Sequence, residues 1–169
     1  VYPTAKLGYV IAVTGTSVLG ILPATGAVEW SKEFRTQHNG NIATPLVVGN
    51  FVFVSAGYNR GCRVFEVMPD RDNRSVRVAS ARDGEKAMSN HHSTSVHRDG
   101  YLYGYDNDTL RCVDLRTLEP ADGWNAKVQK GSVILAGDKL IGQTQSGTLF
   151  LADADPAAFR LRGTVDGVL

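Results

Sequence analysis

A hairpin pattern that recurs along the chain constrains the fold more than any other feature of the sequence. Each copy is a short apolar strand, a two-residue turn and a second apolar strand. Three copies align without a gap, and their turns are Gly49-Asn50, Asp99-Gly100 and Gly137-Asp138. These dipeptides accept the positive φ angles of tight hairpin turns. A weaker copy fits the N-terminus if its turn is Leu7-Gly8.

Each hairpin is followed by a second pair of short apolar segments, so that one repeat holds four strands. The turns recur at intervals of roughly 40 to 50 residues, which is close to the length of a propeller blade. No stretch shows the 3.6-residue periodicity of a helix. The pattern predicts an all-β fold, a partial β-propeller of four four-stranded antiparallel blades. We place the blades at approximately residues 1–39, 40–87, 88–129 and 130–169.

Composition excludes several classes of function. The net charge is +1, which does not suggest a nucleic-acid-binding surface. No apolar run approaches the ~20 residues of a membrane span, and the first residues have neither the charged nor the apolar region of a signal peptide. The start at Val1 suggests a processed product or part of a longer chain. Cys62 and Cys112 either form a disulfide or are small core residues, and the second interpretation is favoured.

A second motif follows the first hairpin. Residues 20–30 read Gly-Ile-Leu-Pro-Ala-Thr-Gly-Ala-Val-Glu-Trp, and blade 3 has a partial copy with Asp114, Thr117 and Trp124. This segment resembles the tryptophan-docking repeat of the quinoprotein family, Ala-x-Asp-x-x-Thr-Gly-x-x-x-Trp. Gly20 and Leu22 depart from that pattern. The resemblance implies that Asp114 caps a turn and that Trp30 and Trp124 are buried between blades.

The resemblance implies two kinds of function. Some relatives are dehydrogenases that use pyrroloquinoline quinone (PQQ) and Ca²⁺, and others are exported propellers of outer-membrane assembly without a cofactor. The chain has no adjacent cysteine pair and no carboxylate cluster like a calcium loop. We therefore expect a non-catalytic scaffold that binds a protein or small ligand, in the periplasm or outside the cell. The alternative is a segment of a PQQ-dependent dehydrogenase, with PQQ and Ca²⁺ bound in the parent protein.

The candidate ligand site lies in the loops that enter the inner strand of each blade. Such loops surround the mouth of a propeller channel, where ligands bind. The polar run in blade 3 is Asn90, His91 and His92, and the aligned positions are Asn41 in blade 2 and Gln129 and Lys130 in blade 4. These residues either meet a ligand or tie each loop to the next blade. Adjacent histidines on a strand would point to opposite faces, so no metal site is expected.

The number of blades also predicts an open structure. Relatives of this family usually have about eight blades, so four would form an arc with two apolar blade faces left exposed. We expect the remaining blades of a parent chain, or a second copy, to cover these faces.

Overall fold

The computed structural model describes residues 2–4, 7–69, 76–84 and 87–168. The strands of these residues form four sheets, which we call blades 1 to 4. Blade 1 contains β1 (Tyr2–Thr4), β2 (Leu7–Val13), β3 (Ser17–Ile21) and β4 (Val28–Glu33); blade 2 contains β5 (Leu46–Val48), β6 (Phe51–Ala56), β7 (Gly61–Pro69) and β8 (Val76–Gly84). Blade 3 contains β9 (Val96–Arg98), β10 (Tyr101–Asp106), β11 (Thr109–Asp114) and β12 (Ala126–Lys127); blade 4 contains β13 (Gly131–Ala136), β14 (Lys139–Thr144), β15 (Leu149–Asp153) and β16 (Leu161–Val165).

Every blade is an antiparallel sheet in which strands adjacent in sequence are paired. This architecture confirms the predicted all-β fold with four four-stranded blades. The hairpin turns have the backbone dihedral angles that their residues favour. Asp99 and Gly100 both have positive φ, as a type I′ turn requires, whereas Gly49 and Gly137 provide the positive φ at the first position of a type II′ turn.

The turn predicted for the first hairpin was wrong by two residues. Leu7 and Gly8 are not a turn, because they belong to β2 and pair with Thr4 and Pro3 of β1. The connection between the two strands falls at residues 5–6, which lie outside the described residues. The alignment failed because this copy lacks a Gly-Asn or Asp-Gly pair that would specify the turn.

The apolar core lies between the blades. One cluster joins blades 1 and 2 around Tyr9, Phe34 and Phe65, a second joins blades 2 and 3, and a third joins blades 3 and 4 around Trp124 and Phe150. Strand β6 illustrates the arrangement, because Val52 and Val54 face blade 1 while Phe53 faces blade 3. Alternate side chains point to opposite faces of a strand, so blade 2 contributes to two cores at once.

The two tryptophans are buried in equivalent cores. Trp30 is 8% exposed and Trp124 is 2% exposed. The Trp30 indole lies directly over Gly20, where a Cβ atom would come within 2.1 Å of the ring. Trp124 Nε1 donates a hydrogen bond to the carbonyl of Asp155 in blade 4 (2.7 Å). Glycine at position 20 therefore allows the Trp30 ring to lie on the face of strand β3.

The turn before each tryptophan has the same backbone hydrogen bond in the two blades, but only blade 3 adds a side-chain cap. In blade 3 the N–H of Leu118, whose φ is 58°, donates to the Asp114 carbonyl (2.9 Å). In blade 3, Asp114 Oδ1 accepts hydrogen bonds from the backbone N–H groups of Arg116 (2.7 Å) and Thr117 (2.9 Å). Blade 1 has Leu22 instead of the aspartate. There the Leu22 carbonyl accepts from the N–H of Gly26 (2.8 Å), whose φ of 72° closes the turn. The positive-φ residue that closes the turn is thus Gly26 in blade 1 and Leu118 in blade 3, and blade 1 lacks only the side-chain cap.

Candidate functional site at the entry edge of the blades

One edge of the blades collects the loops that lead from each blade into the next. Because the strands are antiparallel, these loops lie at the same edge as the hairpin turns between second and third strands. Backbone hydrogen bonds join the two sets of segments, from Phe34 N to Thr16 O (2.9 Å), from Asn107 N to Ser89 O (3.3 Å) and from Gln145 N to Lys130 O (2.7 Å). We call this the entry edge, and its inter-blade loops are residues 34–45, 88–95 and 128–130.

A row of four rings runs along the entry edge. His38 meets Tyr58 edge-to-face with ring centroids 5.0 Å apart, and Tyr58 meets His91 in the same way at 4.8 Å. The His91 ring stacks on that of His92 at 3.9 Å. Lys130, from the loop entering blade 4, donates a hydrogen bond from Nζ to His91 Nδ1 (3.3 Å). We call these five residues the imidazole ladder; it joins three successive inter-blade loops.

The expectation that His91 and His92 point to opposite faces was wrong. Their rings are nearly parallel, with an interplanar angle of 27°. The alternation rule applies to strands, but residues 90–95 form an irregular segment before β9. Gly57 makes room for this arrangement, since a Cβ atom there would lie 2.7 Å from the His91 ring.

The two asparagines hold the loops in place. Asn41 Nδ2 donates to the carbonyls of Thr14 and Phe34 (2.8 Å each), which ties the loop entering blade 2 to blade 1. Asn90 is only 1% exposed, its N–H donates to Ser55 Oγ (2.9 Å), and its Oδ1 accepts from Ser95 Oγ (2.9 Å). These bonds fix the backbone beside the ladder.

Gln129 lies at the same edge but outside the ladder. Its backbone has a φ of 68°, and its side chain borders a cleft of about 230 Å³ between β12 and blade 4. The cleft is also lined by Lys127, Thr144 and Phe150. Of the six predicted ligand residues, the structure brings three together in the ladder, namely His91, His92 and Lys130.

The contact with Lys130 determines the proton arrangement of His91. An ammonium group can only donate, so Nδ1 of the imidazole accepts and Nε2 carries the hydrogen. Burial, assisted by His92 and Lys130, lowers the pKa of His91, which favours this neutral form. Neither the hydrogen on His91 Nε2 nor the Asn90 Nδ2 group has a partner among the described residues, although both nitrogens are buried. The loop therefore has more hydrogen-bond donors than acceptors.

Two ladder residues were missed by sequence reasoning. His38 belongs to the polar run of residues 37–41, and Tyr58 follows strand β6 in a turn where its own φ is 57°. The polar run and the extra residues near Tyr58 were the available signals. His97, by contrast, lies in β9 near the opposite edge, where its Nε2 accepts from the N–H of Gly100 (3.1 Å).

Potential metal ligands do not cluster in the described part of the chain. Its residues contain no group of three or more His, Cys, Asp or Glu residues that could hold a metal ion. Cys62 and Cys112 are free and buried in different inter-blade clusters, and burial raises the pKa of each thiol to about 12. They are core residues. The described part of the chain also has no helix long and apolar enough to span a bilayer.

Comparisons with solved structures show the propeller fold. BamB from Moraxella catarrhalis is 15% identical, with a TM-score of 0.58, over 89% of this chain and 47% of that chain. The computationally designed Ika8 protein is 14% identical, with a TM-score of 0.57, over 94% of this chain and 46% of that chain. A europium-containing methanol dehydrogenase is 16% identical over 72% of this chain and 24% of that chain, with a TM-score of 0.46. The chain thus spans less than half the length of each protein.

Sequence comparison assigns the family. No curated protein sequence gives a significant match. A family model described as outer membrane protein assembly factor BamB matches residues 2–156, which is nearly the whole chain. The chain therefore belongs to this BamB-like family of β-propellers with PQQ-type repeats.

Proposed function

We propose that these blades form a non-catalytic propeller scaffold that binds a protein segment or small ligand at the entry edge. The observation that carries the proposal is the imidazole ladder, because it unites side chains of three inter-blade loops. His38 and His92 are exposed, Tyr58 is 38% exposed, and His91 and Lys130 are half-buried. Rings held by mutual contact are suitable for binding because little rotamer entropy is lost when a ligand meets them.

In this proposal the predicted residues have two roles. His91, His92 and Lys130 contact the ligand, together with His38 and Tyr58. Asn41 and Asn90 act as positioning residues, since their amides are bonded to backbone and side-chain groups of the loops. Gln129 borders the neighbouring cleft and extends the contact surface toward blade 4.

Family membership supports a cellular location for this scaffold. The matching family is described as an outer-membrane assembly factor, which supports an exported location, in the periplasm or outside the cell. A partial propeller also needs further blades to cover its end faces, from a parent chain or a second copy. The described residues contain no cluster of side chains that could hold Ca²⁺, and catalysis is not part of the proposal.

Selection from a library of random peptides tests the proposed binding edge. Peptides should be enriched on the chain and should lose binding when His38 and His92 are both replaced by alanine. The matched control replaces Arg116 and Asp122 by alanine, since both are exposed at the opposite edge. Failure to enrich any peptide, or equal binding to both double variants, would overturn the proposal. Titration with PQQ and Ca²⁺ should leave the quinone absorbance unchanged.

A further inference from the structure

The two edges of the blades differ in charge. The described loops and hairpin turns of the entry edge contain mainly positively charged groups and imidazoles. Their acids are Asp108 and Asp166, and the latter accepts a hydrogen bond from Thr148. The basic and imidazole residues are Arg35, His38, Arg60, His91, His92 and Lys130. The described turns of the opposite edge contain mainly acids, namely Asp99, Glu119, Asp122, Asp138 and Asp155, with Arg116 and Arg160. This separation is notable in a chain whose net charge is +1.

Hydrogen-bond donors at the imidazole ladder favour the same kind of ligand as the positive charge of this edge. The Lys130 ammonium group can only donate, and the Asn90 Nδ2 and His91 Nε2 groups lack acceptors among the described residues, whereas Asn41 Oδ1 is the buried acceptor of this edge that lacks a donor there. Asn90 is 1% exposed, so its unpaired amide group is buried inside the loop and is not solvated at the surface. The donors of this edge that a ligand rich in acceptor oxygens can reach are the Lys130 ammonium group and the exposed imidazoles of His38 and His92.

The length of the ladder favours a chain-like ligand over a small ion. Successive ring centroids are separated by 5.0, 4.8 and 3.9 Å, and the row continues to Lys130 of the next loop. A single small anion would meet only one or two of these groups. An extended peptide, which advances about 3.3 Å per residue, would meet them in turn with successive side chains.

We propose that the imidazole ladder binds an acidic peptide segment that lies extended along the entry edge. Its carboxylates meet Lys130 and the exposed imidazoles of His38 and His92, while its backbone and aliphatic carbons pack on Tyr58. This inference rests on the proposed function, and it adds the chemistry of the partner. Charge complementarity of this kind determines which segment is selected and how fast it associates.

Fluorescence anisotropy with defined probes tests the inference. The acidic probe is a labelled peptide of about twelve residues in which Glu alternates with Ser, long enough to span the ladder. Matched probes carry Gln or Lys in place of Glu. The acidic probe should bind, the Gln and Lys probes should not, and raising NaCl from about 50 to 300 mM should weaken binding several-fold because exposed charges are screened.

Charge-reversal variants locate the binding edge. Lys130→Glu and His92→Glu should each weaken binding of the acidic probe roughly tenfold, because a repulsion replaces an attraction. Lys130→Arg keeps the positive charge and should bind the acidic probe as the unmodified chain does. Arg116→Glu at the opposite edge should leave binding unchanged. Circular dichroism checks that each variant is folded. Equal binding of the Glu and Gln probes, or equal losses in Lys130→Glu and Arg116→Glu, would overturn the inference. Uncharged peptides selected at the ladder would overturn it too, while leaving the proposed function intact.

Discussion

At two strand positions, glycine is required because an aromatic ring lies against the backbone. Gly20 is covered by Trp30 in blade 1, and Gly142 is covered by Phe150 in blade 4. A Cβ atom at position 142 would be 1.9 Å from the Phe150 ring. Phe150 is 4% exposed and packs in the cluster with Trp124, so displacing the ring would disturb the packing of that cluster.

We expect Gly142→Ala to destabilise the fold by about 1–3 kcal/mol, the usual cost of overpacking a core. Urea unfolding followed by tryptophan fluorescence measures the change. The control is Gly163→Ala in the adjacent strand β16, where an added Cβ meets no atom within 4 Å. Equal stabilities of the two variants would show that Phe150 does not need the glycine.

The residue-scale features differ in how far the sequence predicts them. Thr25, Gly26 and Trp30 indicate the buried tryptophan because their spacing is local. Gly20 looked like a departure from the repeat, and only the position of the Trp30 ring explains it. His38 and Tyr58 were not predicted as site residues, because their contact with His91 depends on how loops of different blades converge in space.

At the scale of elements, the last strand pairs with β15 through its backbone, and an ion pair rather than a buried apolar side chain adds to this pairing. All residues of β16 are exposed. Arg162 donates from Nε to both carboxylate oxygens of Asp153 in β15, at 3.0 and 2.9 Å, and Lys139 Nζ lies 3.3 Å from the same carboxylate. These cations link β14 and β16 to the strand between them.

This cluster of charges predicts how the stability of the folded state changes in acid. The hydrogen bond from Arg162 lowers the pKa of Asp153 to about 2. A carboxyl group with a depressed pKa in the folded state stabilises that state above its unfolded pKa, which is about 3.9. The contribution is therefore lost as the pH falls from about 4 to 2. Asp153→Asn should have a lower melting temperature at neutral pH and a smaller decrease over this range than the unmodified chain.

Melting curves recorded by circular dichroism at several pH values provide the measurement. Asp122→Asn, an exposed carboxylate of the opposite edge, is the matched control and should follow the unmodified chain. If the melting temperatures of Asp153→Asn and the unmodified chain fell equally below pH 4, the stabilising role of the ion pair would be contradicted.

The whole molecule ends in two uncovered sheet faces. On blade 4, Ile134, Ile141 and Leu151 are paired in register across three strands and are 60%, 38% and 38% exposed. On blade 1, Val10 and Val28 are 40% and 55% exposed. No extensive contact joins the strands of these two blades within the described residues. The arc that the four repeats predict therefore has an apolar face at each end.

We expect the chain to associate through these faces when no further blades are present. Sedimentation should show assembly that increases with concentration, because exposed apolar patches of this kind find partners. Ile134→Lys with Leu151→Lys should suppress it. Ile42→Lys, which alters an exposed isoleucine of an entry-edge loop, should not. A monomer at every concentration would contradict the expectation.

The difference between inner and end blades also has a thermodynamic consequence. Strands β6 and β10 are buried on both faces, whereas β13 and β14 alternate between buried and exposed side chains. In a linear array, stability is a sum of unit terms and nearest-neighbour terms, and each end unit has one neighbour fewer. Unfolding should thus begin at blades 1 and 4 and proceed inward, so that amide hydrogens exchange most slowly in the centre of blades 2 and 3. A blade added at either end would first slow amide hydrogen exchange in the blade that it contacts.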